Sequence, residues 1–216
     1  MEKILFENDK NADKNLKSVE LIGLSRSGKT TLLKKILEKG KRGFIDWENV
    51  GSLTKLFAFL KYFLKNPIRT VGIFNKLNSN RISLSDLNSS DYFRIFKMRN
   101  SYISAVLAKY EMMRTKREEF FIDEFVIQSI FMILQVKSNE KEILKTLRLL
   151  PKTGKILIVE DTKKNRYARI KKTRFPGEQI NRAFAIQWMK NMEFNYTILK
   201  KILIKDYGPI VKNFKI

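Results

Sequence analysis

The chain contains neither cysteine nor histidine. The first absence excludes disulfides and thiolate metal sites; the second removes the commonest neutral general base and the commonest transition-metal ligand. Acid–base chemistry therefore falls to carboxylates, lysine or tyrosine. No apolar run approaches the eighteen or so residues that a membrane-crossing helix requires. No N-terminal stretch combines a basic end, an apolar centre and a small-residue cleavage site, so secretion is not expected and a cytoplasmic location is. Acidic residues are also scarce: 22 Asp and Glu face 44 Lys and Arg, a net charge of +22. Such an excess points to an anionic partner: a phosphorylated substrate, nucleic acid, or an anionic membrane face to which the protein would be peripheral. The abundance of Lys, Asn, Ile and Phe leaves a second explanation open, a compositional bias from A+T-rich coding. At 216 residues a single domain is the simplest expectation, and a homodimer is compatible with it.

Against that background one segment is chemically specific. Gly23, Leu24, Ser25, Arg26, Ser27, Gly28, Lys29, Thr30 and Thr31 match the phosphate-binding pattern G-x-x-x-x-G-K-[ST]. Ser18 to Ile22 before it has the apolar character of a buried strand, and Thr30 to Glu38 after it has helical spacing. Glycines 23 and 28 allow backbone conformations that turn successive N–H groups toward phosphate oxygens, and the following helix adds its positive end. Lys29 is expected to reach the β- and γ-phosphates and Thr30 to ligate Mg²⁺, which makes ATP and Mg²⁺ the expected cofactors.

Elsewhere, residues 1–16 read as a polar tail or edge element, and Arg42 to Trp47 as a second strand ending in Asp46 and Glu48. Residues 52–66 predict a helix capped by Ser52 and stopped by Pro67; it is apolar around much of its circumference, with Lys55, Lys61 and Lys65 interspersed. Two environments suit it: a buried core helix, or a wall facing an apolar acceptor or a membrane. Residues 68–90 predict a short helix and loops, and Asp91 to Lys116 one long basic helix. Phe120 to Glu124 reads as a buried strand ending in two carboxylates, of which Asp123 would hold Mg²⁺. Helices are expected near 124–136 and 139–149, a strand at Lys155 to Val159, and a last strand around Phe214.

After that strand comes a basic segment, 162–178, with Arg166, Arg169, Lys171, Lys172 and Arg174. The order of phosphate loop, acidic second strand, long helix, acidic third strand, fourth strand, basic segment and C-terminal helix resembles the P-loop kinases typified by thymidylate kinase and the deoxynucleoside kinases. The resemblance implies a three-layer, doubly wound, mostly parallel sheet of about five strands. It implies a lid carrying Arg166, Arg169 and Arg174, of which Arg169 and Arg174 would stabilise the transferring phosphoryl group. Asp46 or Glu48 would be the acceptor's base, with Arg94 and Arg99 on the long helix as substrate contacts. Two departures widen the acceptor class. Asp123-Glu124-Phe125 stands where these kinases usually show Asp-Arg, and Lys163 and Lys164 occupy a stretch of the lid that commonly carries a glutamate. In this it is similar to thymidylate-kinase-like proteins of glycan biosynthesis, which implies sugars, glycans or glycolipids as candidates alongside nucleosides and nucleotides.

Two other classes are weighed. A GTPase would need Asn-Lys-x-Asp, and Asn75-Lys-Leu-Asn78 lacks the final carboxylate. An ATPase would use Glu124 to activate water. A nucleic-acid-associated version of it would use the aromatics Tyr92, Phe93, Phe96 and Tyr102, whose helical spacing favours core packing instead.

Overall fold

The computed structural model describes residues 18–24, 27–39, 47, 49–82, 87–114, 120–123, 125–152, 154–160, 181–207 and 212–215. The chain is an α/β protein built on a small parallel sheet. Its strands are β1 (Ser18–Ile22), β2 (Phe120–Asp123), β3 (Lys155–Glu160) and β4 (Lys212–Lys215), in the spatial order β2-β1-β3-β4. Every pair is parallel, with Leu21 opposite Asp123 and Leu157, and Val159 opposite Phe214. The C-terminal strand thus forms where it was expected. The described residues supply four strands rather than five; of the expected second strand only Trp47 is described.

Period-two alternation divides the strands between two cores. Val19 and Leu21 of β1, with Phe121, Leu157 and Val159, pack under Leu33 of helix α1 (Lys29–Lys39). Ile22, Ile122, Ile156 and Ile158 face a larger cluster built from the other helices. Those are α2 (Ser52–Lys65), α3 (Pro67–Ser79), α4 (Ser89–Met113), α5 (Ile130–Ile133), α6 (Glu140–Leu149) and α7 (Arg182–Tyr207). Both faces being covered explains why β1 is buried at all five positions.

Four expectations are corrected. Ser52 does not cap α2: Gly51 is the N-cap, no side chain bonds there, and Ser52 is the first helical residue. The helix expected within residues 68–90 is not short: α3 runs 13 residues from Pro67, whose fixed φ and missing N–H suit a helix start, and Thr70, Ile73 and Leu77 at helical spacing bury one face. The helix expected at 124–136 shrinks to α5. The buried polar side chains that follow it serve as anchors: Asn195 of α7 accepts from Ser138 N at 2.8 Å and donates to Val136 O at 2.8 Å, while Asn191 donates to Gln135 O at 2.8 Å. The long helix starts earlier and ends earlier than expected, at Ser89, because Asn88 accepts from Asp91 N at 2.8 Å and sets its first turn.

Arg99 of α4 is 3% exposed. Its guanidinium donates to the carbonyls of Met132 and Ile133, both at 3.1 Å, to Asn80 at 3.4 Å, and to Leu77. It therefore ties the C-terminal ends of α3 and α5 together, where unsatisfied carbonyls favour a cation. Burial, and secondarily the charge of Arg81, lowers its pKa to about 10, which leaves it protonated at neutral pH.

Candidate functional site

In a parallel sheet all carboxyl ends share one edge, and here the chain leaves β1 for β2 on one side and later returns to β3 on the other. The crevice at such a reversal is where open α/β sheets accept ligands. The loop between β1 and α1 occupies it. Gly28 has φ of 90°, a left-handed conformation that side chains with a Cβ seldom adopt. Gly23 is required for a different reason: a Cβ there would come within 2.5 Å of both Val159 O and Ser27 Oγ. The loop thus threads against the backbone of β3.

Lys29 follows at the first position of α1 and is only 5% exposed. Its ammonium donates to Gly23 O at 3.1 Å and Leu24 O at 3.3 Å, inside the turn made by its own loop. Phosphate oxygens offered there would replace carbonyls that are partners of lower charge. Thr30, the next residue, donates from its hydroxyl to Asp123 Oδ2 at 2.8 Å across 93 positions of sequence. The alternation of β2 explains the meeting: Asp123 shares the face of Phe121, which is the face that α1 covers.

Two oxygens at this place, Asp123 Oδ1 and Ser27 Oγ, are buried and have no hydrogen-bond partner among the described residues. Buried oxygens of this kind are normally satisfied, so they mark where a ligand's atoms or water fit. Among the described residues no group of three or more Asp or Glu side chains gathers anywhere to form an all-protein metal cage. Mg²⁺ does not need one. It keeps several waters and takes one or two protein oxygens beside those of a phosphate, which suits the Thr30–Asp123 pair with its spare Oδ1.

Two residues missed in the sequence hold the loop from behind. Gly23 N donates to Gln128 Oε1 at 3.2 Å, and Gln128 N in turn donates to Glu20 Oε1 at 2.8 Å. Glu20 is fully buried on the face of β1 that also carries Ile22. A carboxylate in the middle of Ser-Val-Glu-Leu-Ile is a local conflict, and that was the available signal. Gln128 carried none.

The other expected residues divide. Arg94 is exposed on α4, and Arg99 is committed to the four carbonyls already described, so its guanidinium is a structural brace rather than a substrate contact. Thr31 is exposed on α1. Ser25, Arg26, Asp46, Glu48, Glu124, Lys163, Lys164, Arg166, Arg169, Lys171, Lys172 and Arg174 lie outside the described residues, as do the tail 1–16 and the segment 162–178. Tyr92 and Tyr102 pack against the core as their spacing suggested, whereas Phe93 and Phe96 are exposed. No family model matches the chain, and neither the curated proteins nor the solved structures contain a match.

Proposed function

We propose that this chain binds a nucleoside triphosphate with Mg²⁺ in the Gly23–Thr31 loop and transfers the terminal phosphoryl group to a hydroxyl or phosphate of a small molecule or glycan. The observation that supports it most is the Thr30 hydroxyl on Asp123 at 2.8 Å, directly beside the buried Lys29. Chance resemblance to a phosphate loop would not bring a distant acidic strand end to the hydroxyl that the motif assigns to the metal.

In this reading the fold is a P-loop domain, and the N–H groups of the loop with the start of α1 cradle the phosphates. Lys29 neutralises charge on the β- and γ-oxygens, and Thr30 and Asp123 would hold Mg²⁺, which would offset further phosphate charge. Gln128 and Glu20 keep Gly23 in place so that the donors point inward before the nucleotide arrives. Asp46 or Glu48 takes the acceptor's proton, and Arg169 and Arg174 stabilise the charge spread over the transferring group. The test is ADP formation by the purified chain against pooled nucleosides, nucleotides, sugars and glycolipids. Turnover that requires one pool and disappears in Lys29→Ala supports transfer. Acceptor-independent hydrolysis lost in Glu124→Gln, and unaffected by Asp46→Asn and Glu48→Gln, would replace it with an ATPase.

A further inference from the structure

Helix α2 is amphipathic in the reverse sense. Only Ala58 and Tyr62 on it are buried, and they sit on one side, with the Tyr62 ring edge-on to Tyr110 of α4. At about 100° per residue, Leu53 and Leu60 point most directly away from them, Leu56 and Leu64 stand to either side of that line, and Phe57 and Phe63 form the two margins. All six are exposed, Leu53 by 72%, Phe57 by 67% and Leu64 by 76%. In α3, the next element of the chain, Ile68 is 88% exposed and Val71 half exposed. Fourteen residues of α2 alone give it about 21 Å of length. A contiguous apolar surface of this extent marks a docking site rather than ordinary surface leucines.

Its charge selects the occupant. From Asn49 to Ser85 there is no Asp or Glu, while Lys55, Lys61, Lys65, Arg69, Lys76 and Arg81 are all basic. Lys61, 57% exposed, borders the strip, and Lys65 sits nearer the buried side; with Arg114 they gather around the buried carboxylate of Glu111, at 3.8, 2.6 and 3.3 Å. A second copy would bring the same lysines and another chain of net +22 against this face, which opposes self-association. An apolar strip without acids, edged by lysines, is instead the composition that lies in the interface of an anionic bilayer, side chains among the acyl chains and ammonium groups among the headgroups.

We propose that α2 and the start of α3 dock this protein peripherally onto an anionic lipid surface. This is independent of what the Gly23–Thr31 loop binds.

The experiment is co-sedimentation of the full chain with vesicles of equal parts phosphatidylserine and phosphatidylcholine, compared with phosphatidylcholine alone. Binding should be at least about tenfold tighter to the anionic vesicles and should weaken with salt, as expected where surface charge contributes to anchoring. Phe57→Ser with Leu64→Ser should reduce it by at least about tenfold while leaving the melting temperature unchanged, because neither side chain is packed in the core. In parallel, Phe57→Trp should show a blue-shifted emission on adding anionic vesicles, a readout that does not depend on the serine variants folding. Anionic-vesicle binding that survives the double substitution, equal binding to both vesicle types, or an emission of the Phe57→Trp variant that does not move would each overturn the proposal. So would a wild-type dimer in sedimentation velocity that the double substitution converts to monomer, since the strip would then be an interface between copies.

Discussion

Adding one methyl group at Gly23 probes the site where backbone meets backbone. The new Cβ of Gly23→Ala would lie 2.5 Å from Ser27 Oγ and 2.5 Å from Val159 O. The hydroxyl can rotate away, but the carbonyl belongs to β3, which is laddered to β1 through Ile22 and Ile158 one residue from the clash. Relief must then come from shifting the loop, which disturbs the Gly23 N–H bond to Gln128 and the carbonyl that receives Lys29. Overpacking of this kind costs about 1–3 kcal/mol, and the stiffer unfolded chain returns about 0.5 kcal/mol of it. A net loss of about 1.5 kcal/mol corresponds to a melting temperature lower by roughly 3–6 °C in a chain of this size. Nucleotide affinity, measured by fluorescence titration, should fall by at least about tenfold, because the N–H donors no longer converge. Gly51→Ala is the matched control: the nearest atom to its Cβ would be Thr54 Oγ1 at an ordinary 3.8 Å, and φ of −59° suits alanine. A poorer N-cap and a stiffer unfolded chain nearly cancel there, so stability should change by less than about 0.5 kcal/mol. If Gly23→Ala melts and binds like the wild type, the close packing of the loop on β3 is refuted.

Three further outcomes follow from particular contacts. Arg99→Met should destabilise the fold by about 3 kcal/mol or more in denaturant unfolding, since the carbonyls at the ends of α3 and α5 lose a charged donor, and a change under about 1 kcal/mol would refute the brace. Gln128→Leu should weaken nucleotide binding several-fold while Gln128→Glu partly restores it, because only the glutamate keeps an oxygen for Gly23 N–H; equal defects in both would place the effect elsewhere. The Glu142 carboxyl is held below its ordinary pKa chiefly by the hydrogen bond from Lys76. A carboxyl whose pKa is depressed by folding stabilises above its unfolded pKa and loses that contribution as pH falls. The small difference in melting temperature between wild type and Lys76→Met should therefore be present near about pH 7 and shrink as pH falls below the ordinary glutamate range of about 4.3, and a difference independent of pH would contradict the pairing.

What the sequence disclosed follows from which forces are local. The conformation of the loop from Gly28 to Thr30 was legible because each residue type answers a local demand: Gly28 a positive φ, Lys29 and Thr30 the first turn of a helix. β1, β3 and α1 were legible from short apolar runs and helical spacing. Asp123 was found because a strand end with carboxylates is itself a pattern, although its distance to Thr30 depends on β2 lying beside β1. Roles set by tertiary partners were hidden. Nothing in the sequence around Arg99 says that four carbonyls from two other helices will surround it, and nothing marks Gln128 as the residue behind Gly23. Pro67 ended the first helix as its sequence position implied, and its role as the first residue of the next was not legible because a proline suits either place. The apolar circumference of α2 suited a core helix equally well; only the placement of Ala58 and Tyr62 against α4 determined which side faces outward.

In the proposed nucleotide site Lys29 meets phosphate and Thr30 with Asp123 meets the metal. Calorimetric titration of ATP, with and without Mg²⁺, into the wild-type chain and Asp123→Asn tests it most directly. Mg²⁺ should tighten ATP binding to the wild type by at least about tenfold, and Asp123→Asn should remove most of this gain while leaving metal-free binding nearly unchanged. An absence of ATP binding by the wild type, or a Mg²⁺ effect of the same size in both proteins, would contradict it.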